Sequence, residues 1–273
     1  MFPVPTSLSP SRVDAFTTCP MQFRFSSIEK LPEPASIHTS KGTLVHRALE
    51  LLFQLPAAER TIEQALTLFP QAWAEVQASD EYRRMGLDAA SADKLAAEGR
   101  SLVERYFTIE DPTTITPVGL ELMLEADLGS LRLRGIIDRL ERAPDGSLVV
   151  TDYKTGKAPS ASQEQKRLGG VHFYAWLVQQ ALGERPSSIR LIYVPSSTII
   201  ATRPTEQSIN FLPKRTAAVF SAIEKSCTSG VFRTSPGPLC NFCAFKRWCP
   251  EFGGDPAKAA VEAPLVYAVP PAD

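Results

Sequence analysis

Two apolar stretches joined by a short turn constrain the fold of this chain more than any other feature of its sequence. Residues 131–141 and 148–154 are rich in Leu, Ile and Val, and a Pro-Asp-Gly turn centred on Asp145 separates them. Such runs on either side of turn residues predict two antiparallel strands. A three-residue turn at that point would place Asp138 directly opposite Asp152.

Paired acids in a sheet need a physical reason, because like charges directly opposite each other are destabilising. Alternation along the second strand puts Lys154 on the same face as Asp152. A hard divalent cation such as Mg²⁺ is one reason, because it favours carboxylate ligands and activates water for phosphate hydrolysis. The lysine would then position the nucleophile or neutralise the transition state. The other is a salt-bridged hairpin end, with Arg139 or Lys157 as the partner. The residues alone leave both interpretations open.

Length and charge limit the possible function classes. The 273 residues suffice for one large domain, and the net charge of -1 provides no overall basic field. Residues 210–250 nevertheless carry six Lys or Arg against Glu224 alone, which is typical of a solvated face and would also suit contact with DNA. No apolar run reaches the length of a membrane span and no signal-like N-terminus is present, so we expect a cytoplasmic protein.

The five cysteines are distributed like metal ligands rather than like a disulfide framework. Cys240, Cys243 and Cys249 lie within ten residues of one another, and such crowding is typical of thiolate ligands in a reducing compartment. Cys19 precedes a proline, as Cys249 does, and is a better candidate than Cys227 for the fourth ligand. Spacing alone leaves Zn²⁺, a [4Fe-4S] cluster and three unrelated buried cysteines as alternatives.

A helix predicted to begin near Gly42 carries the most informative histidine. Helical spacing puts His46, Glu50 and Phe53 on one face, so His46 is a polar group on a buried stripe. A lone histidine in such a place is more often a hydrogen-bonded core residue than a ligand. It becomes a ligand candidate only if this helix packs against the hairpin of Asp138 and Asp152.

The rest of the chain alternates helical and strand patterns. Further helices are predicted over 11–18, 61–76, 91–107, 165–182 and 211–227, and further strands over 118–127, 189–195 and 198–202, with a loop over 80–90 and a disordered Pro/Ala-rich tail from 256. This order favours an α/β or α+β sheet flanked by helices.

Together, these motifs resemble one family as an ordered set. The set consists of Cys19-Pro20, Gly42 to His46, Gly135 to Asp138, Asp152 to Lys157, Phe173 to Trp176, and Cys240, Cys243 and Cys249. It is similar to the RecB-like branch of the PD-(D/E)XK nuclease superfamily, in particular to AddB-type and CRISPR-associated members with a [4Fe-4S] cluster. The resemblance extends from about residue 9 to residue 250.

The resemblance implies an α/β, restriction-endonuclease-like fold, with a mixed central sheet flanked by helices and the two terminal segments joined by an iron-sulfur cluster. The implied parts are an N-terminal segment 1–41, a nuclease core 42–208 with a helical insertion at about 56–111, a cluster-binding segment 209–255 and a flexible tail 256–273. It favours a [4Fe-4S] cluster over zinc on Cys19, Cys240, Cys243 and Cys249.

The resemblance also implies roles for individual residues. It implies that Mg²⁺ or Mn²⁺ is bound by His46, Asp138, Asp152 and the backbone carbonyl of Tyr153, with Lys154 as the catalytic lysine.

A departure from the family pattern concerns substrate positioning. Many relatives place a glutamine four residues before the tyrosine of the next helix, but here that position is Gly170, with Tyr174 retained. His172 or Gln165 is a candidate replacement. Tyr174 and Glu50 are the candidate substrate-positioning residues.

The implied function is a Mg²⁺- or Mn²⁺-dependent DNA nuclease, an exonuclease on single-stranded or end-containing DNA in repair, recombination or related processing. One alternative is an inactive DNA-binding or assembly subunit with the same fold, and another is a zinc-stabilised interaction protein. Gly156-Lys157-Ala158 lacks the upstream glycine and the following Ser or Thr of a nucleotide-binding loop. We therefore expect no ATP hydrolysis by this chain, and a helicase or ATPase could still act as a separate partner.

Overall fold

The structure is a computed structural model that describes residues 1–159 and 161–267, with only the backbone path for 161–169. Its α-helices are α1 (Pro10–Thr18), α2 (Pro20–Phe23), α3 (Ile37–Gln54), α4 (Ile62–Gln77), α5 (Asp80–Arg84), α6 (Ala89–Tyr106), α7 (Ala161–Leu182), α8 (Glu206–Ser229) and α9 (Ala259–Val266). Its strands are β1 (Ser7–Leu8), β2 (Thr116–Leu128), β3 (Leu131–Arg142), β4 (Leu148–Lys154), β5 (Ser188–Tyr193) and β6 (Thr198–Thr202).

The larger of two compact units consists of Ala35–Leu124 and Gly135–Glu206. Its strands follow the order β3-β4-β5-β6, and β2 also pairs with β3. The β3–β4 and β5–β6 pairs are antiparallel, whereas β4 and β5 are parallel. The predicted α/β fold with a mixed central sheet flanked by helices is therefore confirmed.

The β3–β4 hairpin has the register that its turn predicts. Arg139 pairs with Thr151 and Arg142 with Leu148, and the N–H of Ala143 donates to the carbonyl of Ser147 at 2.9 Å. One further step in this register aligns Asp138 with Asp152. The local pattern of apolar residues and turn residues was sufficient to bring the two acids to neighbouring positions.

Strand β4 lies in the interior of the larger unit, and α3 packs in the same core. Six of the seven residues of β4 are buried, and Lys154 at its end is half-buried. Leu44, Leu49 and Leu52 of α3 are fully buried in a core that also contains Tyr153 of β4, and each such leucine contributes about 1.5–3 kcal/mol by leaving water. This packing is the condition under which His46 can approach the hairpin.

The smaller unit consists of Met1–Pro34, Glu125–Arg134 and Gln207–Asp273. In it β1 runs parallel to the beginning of β3, with Leu8 paired with Leu133. Its core contains large aromatic side chains from both ends of the chain: Phe23, Phe25, Phe245 and Trp248 are at most 1% exposed. The cysteine-bearing segments belong to this unit.

Two predictions from the sequence were wrong, and hydrogen bonds in the structure explain both. The predicted loop over 80–90 contains α5, which Ser79 caps by accepting from the N–H of Tyr82 at 3.1 Å. The part of the tail expected to be flexible contains α9, because the indole of Trp248 donates to Glu262 at 2.8 Å and Ala263 is buried. Residues 268–273 of that tail lie outside the described part of the chain.

Gly254 provides a test of the packing around the cysteine segments. A Cβ at this position would overlap the carbonyl oxygen of Arg247 and the backbone of Trp248, which cannot move as a side chain does. We expect Gly254→Ala to lower the free energy of unfolding by about 1–3 kcal/mol, measured by denaturant titration. Gly237→Ala is the matched control, since no described atom lies within 4 Å of a Cβ there. Equal losses in the two variants would contradict this packing.

Candidate metal site

The side chains predicted to bind the metal ion, together with the predicted catalytic lysine, come from three elements of the larger unit. His46 lies on α3, Asp138 on β3, and Asp152 and Lys154 on β4. The side chain of Asp138 is 10% exposed and Asp152 is 6% exposed, so both carboxylates are largely withdrawn from water. The structure brings the imidazole and Asp138 together, and Asp152 pairs with Lys154 at 2.5 Å.

The backbone of Tyr153 organises the contact between His46 and Asp138. Its N–H donates to Oδ2 of Asp138 at 2.7 Å, and its carbonyl accepts a hydrogen bond from Nε2 of His46 at 3.0 Å. Since a carbonyl can only accept, Nε2 carries a proton, and in the neutral form of the imidazole Nδ1 is then the acceptor nitrogen. Nδ1 lies 3.5 Å from Oδ2 of Asp138. The carbonyl that the family resemblance implies as a metal ligand thus contacts His46 in this structure.

Glu121, on β2, is a site residue that the sequence reasoning missed. Its Oε1 lies 3.8 Å from Nδ1 of His46, and ligand atoms of Glu121, His46 and Asp138 all lie within 4.8 Å of one another. Glu121 has a φ of 42°, a left-handed conformation that costs a non-glycine residue about 1 kcal/mol or more. The poor alternation of this strand was the available signal, because such a kink changes the face on which a side chain lies.

The donor set fits a hard divalent cation. Carboxylate oxygens and an imidazole nitrogen are suitable ligands for Mg²⁺ or Mn²⁺. Ligand atoms about 2.1 Å from an octahedral ion lie about 3.0 Å apart when adjacent and about 4.2 Å apart when opposite. The separations of 3.5 and 3.8 Å from Nδ1 of His46 fall between these limits. Movements of about 0.5 Å would therefore bring these ligand atoms to the spacing expected around a shared ion.

The electrostatics of the site reflect an excess of negative charge. Burial raises the pKa of Asp138 to about 7, and the charge of Asp152 adds to the increase. Burial also raises the pKa of Glu121. For Lys154, burial acts to lower the pKa, but the carboxylates of Asp152 and Asp138 outweigh it, so the pKa lies above its usual value. The lysine is charged, and at least one acid requires a proton or a cation.

Tyr174, on α7, lies close to the acids. Burial, followed by the negative charges of Asp152, Asp138 and Glu121, raises its pKa. The phenol therefore keeps its proton and is a hydrogen-bond donor. Gly135 in β3 leaves room for this ring, because a Cβ there would lie 3.1 Å from a Tyr174 ring carbon. The glycine three residues before Asp138 thus has a packing reason.

The other candidates for substrate positioning are Glu50, His172 and Gln165. Glu50 accepts a hydrogen bond from Arg47 at 2.7 Å, which ties its carboxylate to its own helix. Gly170 is exposed, and the described atoms leave the 4 Å around a Cβ built there open. His172 is half-buried, and burial lowers its pKa. The side chain of Gln165 lies outside the described residues.

In the smaller unit, the four predicted thiol ligands are brought together. Cys19, Cys240, Cys243 and Cys249 line one pocket. Burial raises the pKa of Cys243, and the three neighbouring thiols add to that effect. The fifth cysteine, Cys227, is fully buried in α8. Residues from both ends of the chain thus form one cluster of thiols.

The fold and the converging acids, imidazole and lysine define a class of protein, the hydrolytic nucleases with a mixed α/β sheet. The model of the PD-(D/E)XK nuclease superfamily matches residues 7–250, and the chain belongs to this superfamily. The resemblance inferred from the ordered motifs is confirmed. Within the described residues, no helix has both the length and the apolar character needed to cross a membrane.

Several known proteins are similar to this chain. Gene 69 protein of Mycobacterium phage D29 is 25% identical over 89% of this chain and 96% of its own length. One component of the ATP-dependent helicase/deoxyribonuclease of Streptococcus mutans is 29% identical over 57% of this chain, a region that makes up 15% of that component. The solved structure of an exonuclease candidate from Eubacterium rectale covers 88% of this chain and 93% of its own, with 11% identity and a TM-score of 0.49.

The raised pKa of Asp138 predicts how stability without metal depends on pH. Because the folded state holds this proton more tightly than the unfolded state, Asp138 contributes stability that is present below about pH 4 and is lost as the pH rises through about 7. In EDTA, the stability of Asp138→Asn relative to the wild type should therefore be greater at about pH 8 than at about pH 5, because only the wild type loses this contribution. Denaturant titrations at both pH values measure this, and a pH-independent difference would contradict it.

Proposed function

We propose that this chain is a divalent-metal-dependent DNA nuclease, an exonuclease on single-stranded or end-containing DNA in repair, recombination or related processing. The observation that carries the proposal is the approach of Nδ1 of His46 to Asp138 and Glu121, beside the pair of Asp152 and Lys154. The name of the Streptococcus mutans relative, which includes a deoxyribonuclease, supports DNA as the substrate.

The residues that would hold Mg²⁺ or Mn²⁺ are His46, Asp138 and Glu121, with Asp152 beside them. A bound cation would stabilise charge on the phosphate and promote the ionisation of water. The hydrogen bond from Nε2 of His46 to the Tyr153 carbonyl supports this role, because metal-ligating histidines characteristically donate their other N–H to such a group.

Lys154 and Tyr174 would act on the substrate side of the site. The charged ammonium of Lys154 is paired with Asp152 and is 38% exposed, so it can also meet a phosphate oxygen. Its charge would stabilise the negative charge that develops as the phosphodiester bond breaks. The protonated phenol of Tyr174 would donate a hydrogen bond to the same group and orient it.

Lys154→Ala is the direct test of catalysis. We expect it to reduce cleavage of labelled linear DNA with Mg²⁺ or Mn²⁺ by about 100-fold or more, because an oriented positive charge at the reacting phosphate is lost. Lys157→Ala is the matched control: it removes the same charge from an exposed position three residues away. Equal activity of wild type and Lys154→Ala would contradict the catalytic proposal. Distinct 5′- and 3′-labelled ends report the direction of cleavage.

A second candidate function is a DNA-binding or assembly subunit that does not cleave. The feature that favours it is Gly170 at the position where the family resemblance implies a glutamine. DNA binding without turnover by the wild type in either metal would support this function instead. We also propose that a helicase or ATPase partner is a separate chain, an idea supported only by the name of the Streptococcus mutans relative. Co-purification with such a chain would test it.

We further propose that Cys19, Cys240, Cys243 and Cys249 hold a [4Fe-4S] cluster. Four thiols around one pocket are a suitable donor set for such a cluster and also for zinc. Burial raises the pKa of Cys249 as well as that of Cys243, so binding would displace protons. A cytoplasmic location would keep these free cysteines reduced.

Cys19→Ser separates this proposal from its alternatives. Anaerobically purified wild type should contain about four irons per chain and absorb visible light, and Cys19→Ser should lose most of both. Cys227→Ser removes the buried cysteine outside the set and should retain them. Elemental analysis that finds one zinc per chain would contradict the cluster and support the zinc-stabilised alternative.

A further inference from the structure

Arg139 follows Asp138 in β3 but belongs to a different environment. Its side chain is fully buried. Nη1 donates to the phenol oxygens of Tyr106 and Tyr153, Nη2 donates to both carboxylate oxygens of Glu110 at 3.0 and 3.2 Å, and Nε donates to Glu141. Successive residues of a strand lie on opposite faces of the sheet, so Arg139 is directed away from the face that carries Asp138.

The guanidinium is part of a charge-balanced cluster. Arg190 lies 2.7 Å from Glu110 and 3.5 Å from Glu141, so two arginines face two glutamates. The side chains of both glutamates are less than 10% exposed. A buried ion cluster of this kind is often no more stabilising than an apolar core, because desolvation offsets the attraction. A gain in stability is therefore an insufficient reason for it.

Tyr153 connects this cluster to the candidate metal site. Its hydroxyl accepts a hydrogen bond from Arg139, and its ring is 3% exposed. The backbone of the same residue contacts two proposed ligands, through the N–H to Asp138 and the carbonyl to His46. A single residue is thus held at its side-chain end by the guanidinium and at its backbone end by the site.

We propose that Arg139 is a positioning residue for the metal site and acts through Tyr153. By fixing the phenol, it fixes the strand at Tyr153, so that the N–H orients Asp138 and the carbonyl selects the His46 tautomer with a free Nδ1. The inference rests on the proposed function to the extent that the ligands are those of a divalent cation. The property that Arg139 affects is the affinity of the site for that cation.

Tyr153→Phe and Tyr106→Phe form a matched pair of variants. Each removes one phenol that accepts from Nη1 of Arg139 and preserves a buried ring. Tyr106 lies at the end of α6, and its hydroxyl donates to Glu110 at 3.0 Å. Only Tyr153 has the backbone contacts to Asp138 and His46 described above. A purely structural role predicts the same change in Mn²⁺ affinity in both variants, whereas a positioning role predicts a larger decrease in Tyr153→Phe.

The test is calorimetric titration of Mn²⁺ into the metal-free full chain, with unfolding in EDTA measured in parallel. Tyr153→Phe should weaken Mn²⁺ binding by about tenfold, in line with the loss of other outer-shell partners. Tyr106→Phe should change the Mn²⁺ affinity by less than about twofold, although both variants should have a lower melting temperature than the wild type. Arg139→Lys, which preserves the charge but not the fork of donors, should weaken binding as Tyr153→Phe does.

Mn²⁺ affinity equal to that of the wild type in both phenylalanine variants would overturn the inference. So would a decrease in affinity that is the same in both, because it would indicate general destabilisation. If the wild type binds Mn²⁺ with the predicted pattern among the variants but does not cleave DNA, the proposed nuclease function fails and the positioning role stands. A wild type that does not bind Mn²⁺ would overturn both.

Discussion

The repulsion between Asp138 and Asp152 is the constraint around which the larger unit is arranged. The hairpin register aligns two acids in a buried sheet, and burial together with this proximity raises the pKa of Asp138 to about 7. The Tyr153 N–H and the Lys154 ammonium offset part of the cost. Two carboxylates would be a poor choice for stability alone, since like charges opposite each other weaken a sheet. The arrangement is consistent with selection for binding a cation rather than for stability.

The tautomer of His46 shows how the fold prepares that binding. A neutral imidazole has one donor and one acceptor nitrogen, and a ligand must present the acceptor. Because the Tyr153 carbonyl accepts from Nε2, the acceptor Nδ1 is the nitrogen beside Asp138 and Glu121. The packing of α3 against the core that contains Tyr153 provides this contact. Helix packing and ligand chemistry are therefore coupled through one backbone carbonyl.

The β3–β4 hairpin was predictable because its determinants are local. Apolar periodicity defines the strands, and the turn fixes the register that aligns Asp138 with Asp152. The approach of His46 depends on tertiary packing, which helical periodicity leaves open, and only the family resemblance indicated it. Glu121 was not predictable, since its left-handed backbone interrupts the strand alternation. Arg139 was considered only as a partner of the aspartates, because arginine is rarely fully buried, and its cluster with Glu110 requires residues far apart in the sequence.

The cluster around Arg139 and the candidate metal site differ in net charge, and the difference indicates their roles. Around Arg139, two arginines meet two glutamates, so the cluster is neutral without a ligand. Among the described residues of the site, the carboxylates of Asp138, Asp152 and Glu121 outnumber the Lys154 ammonium, so two negative charges are left over when all three acids are ionised. Protonation can neutralise that excess negative charge only in part near neutral pH, because the raised pKa of Asp138 is about 7. A divalent cation would compensate both charges at once, whereas the neutral cluster can only hold its neighbours in place.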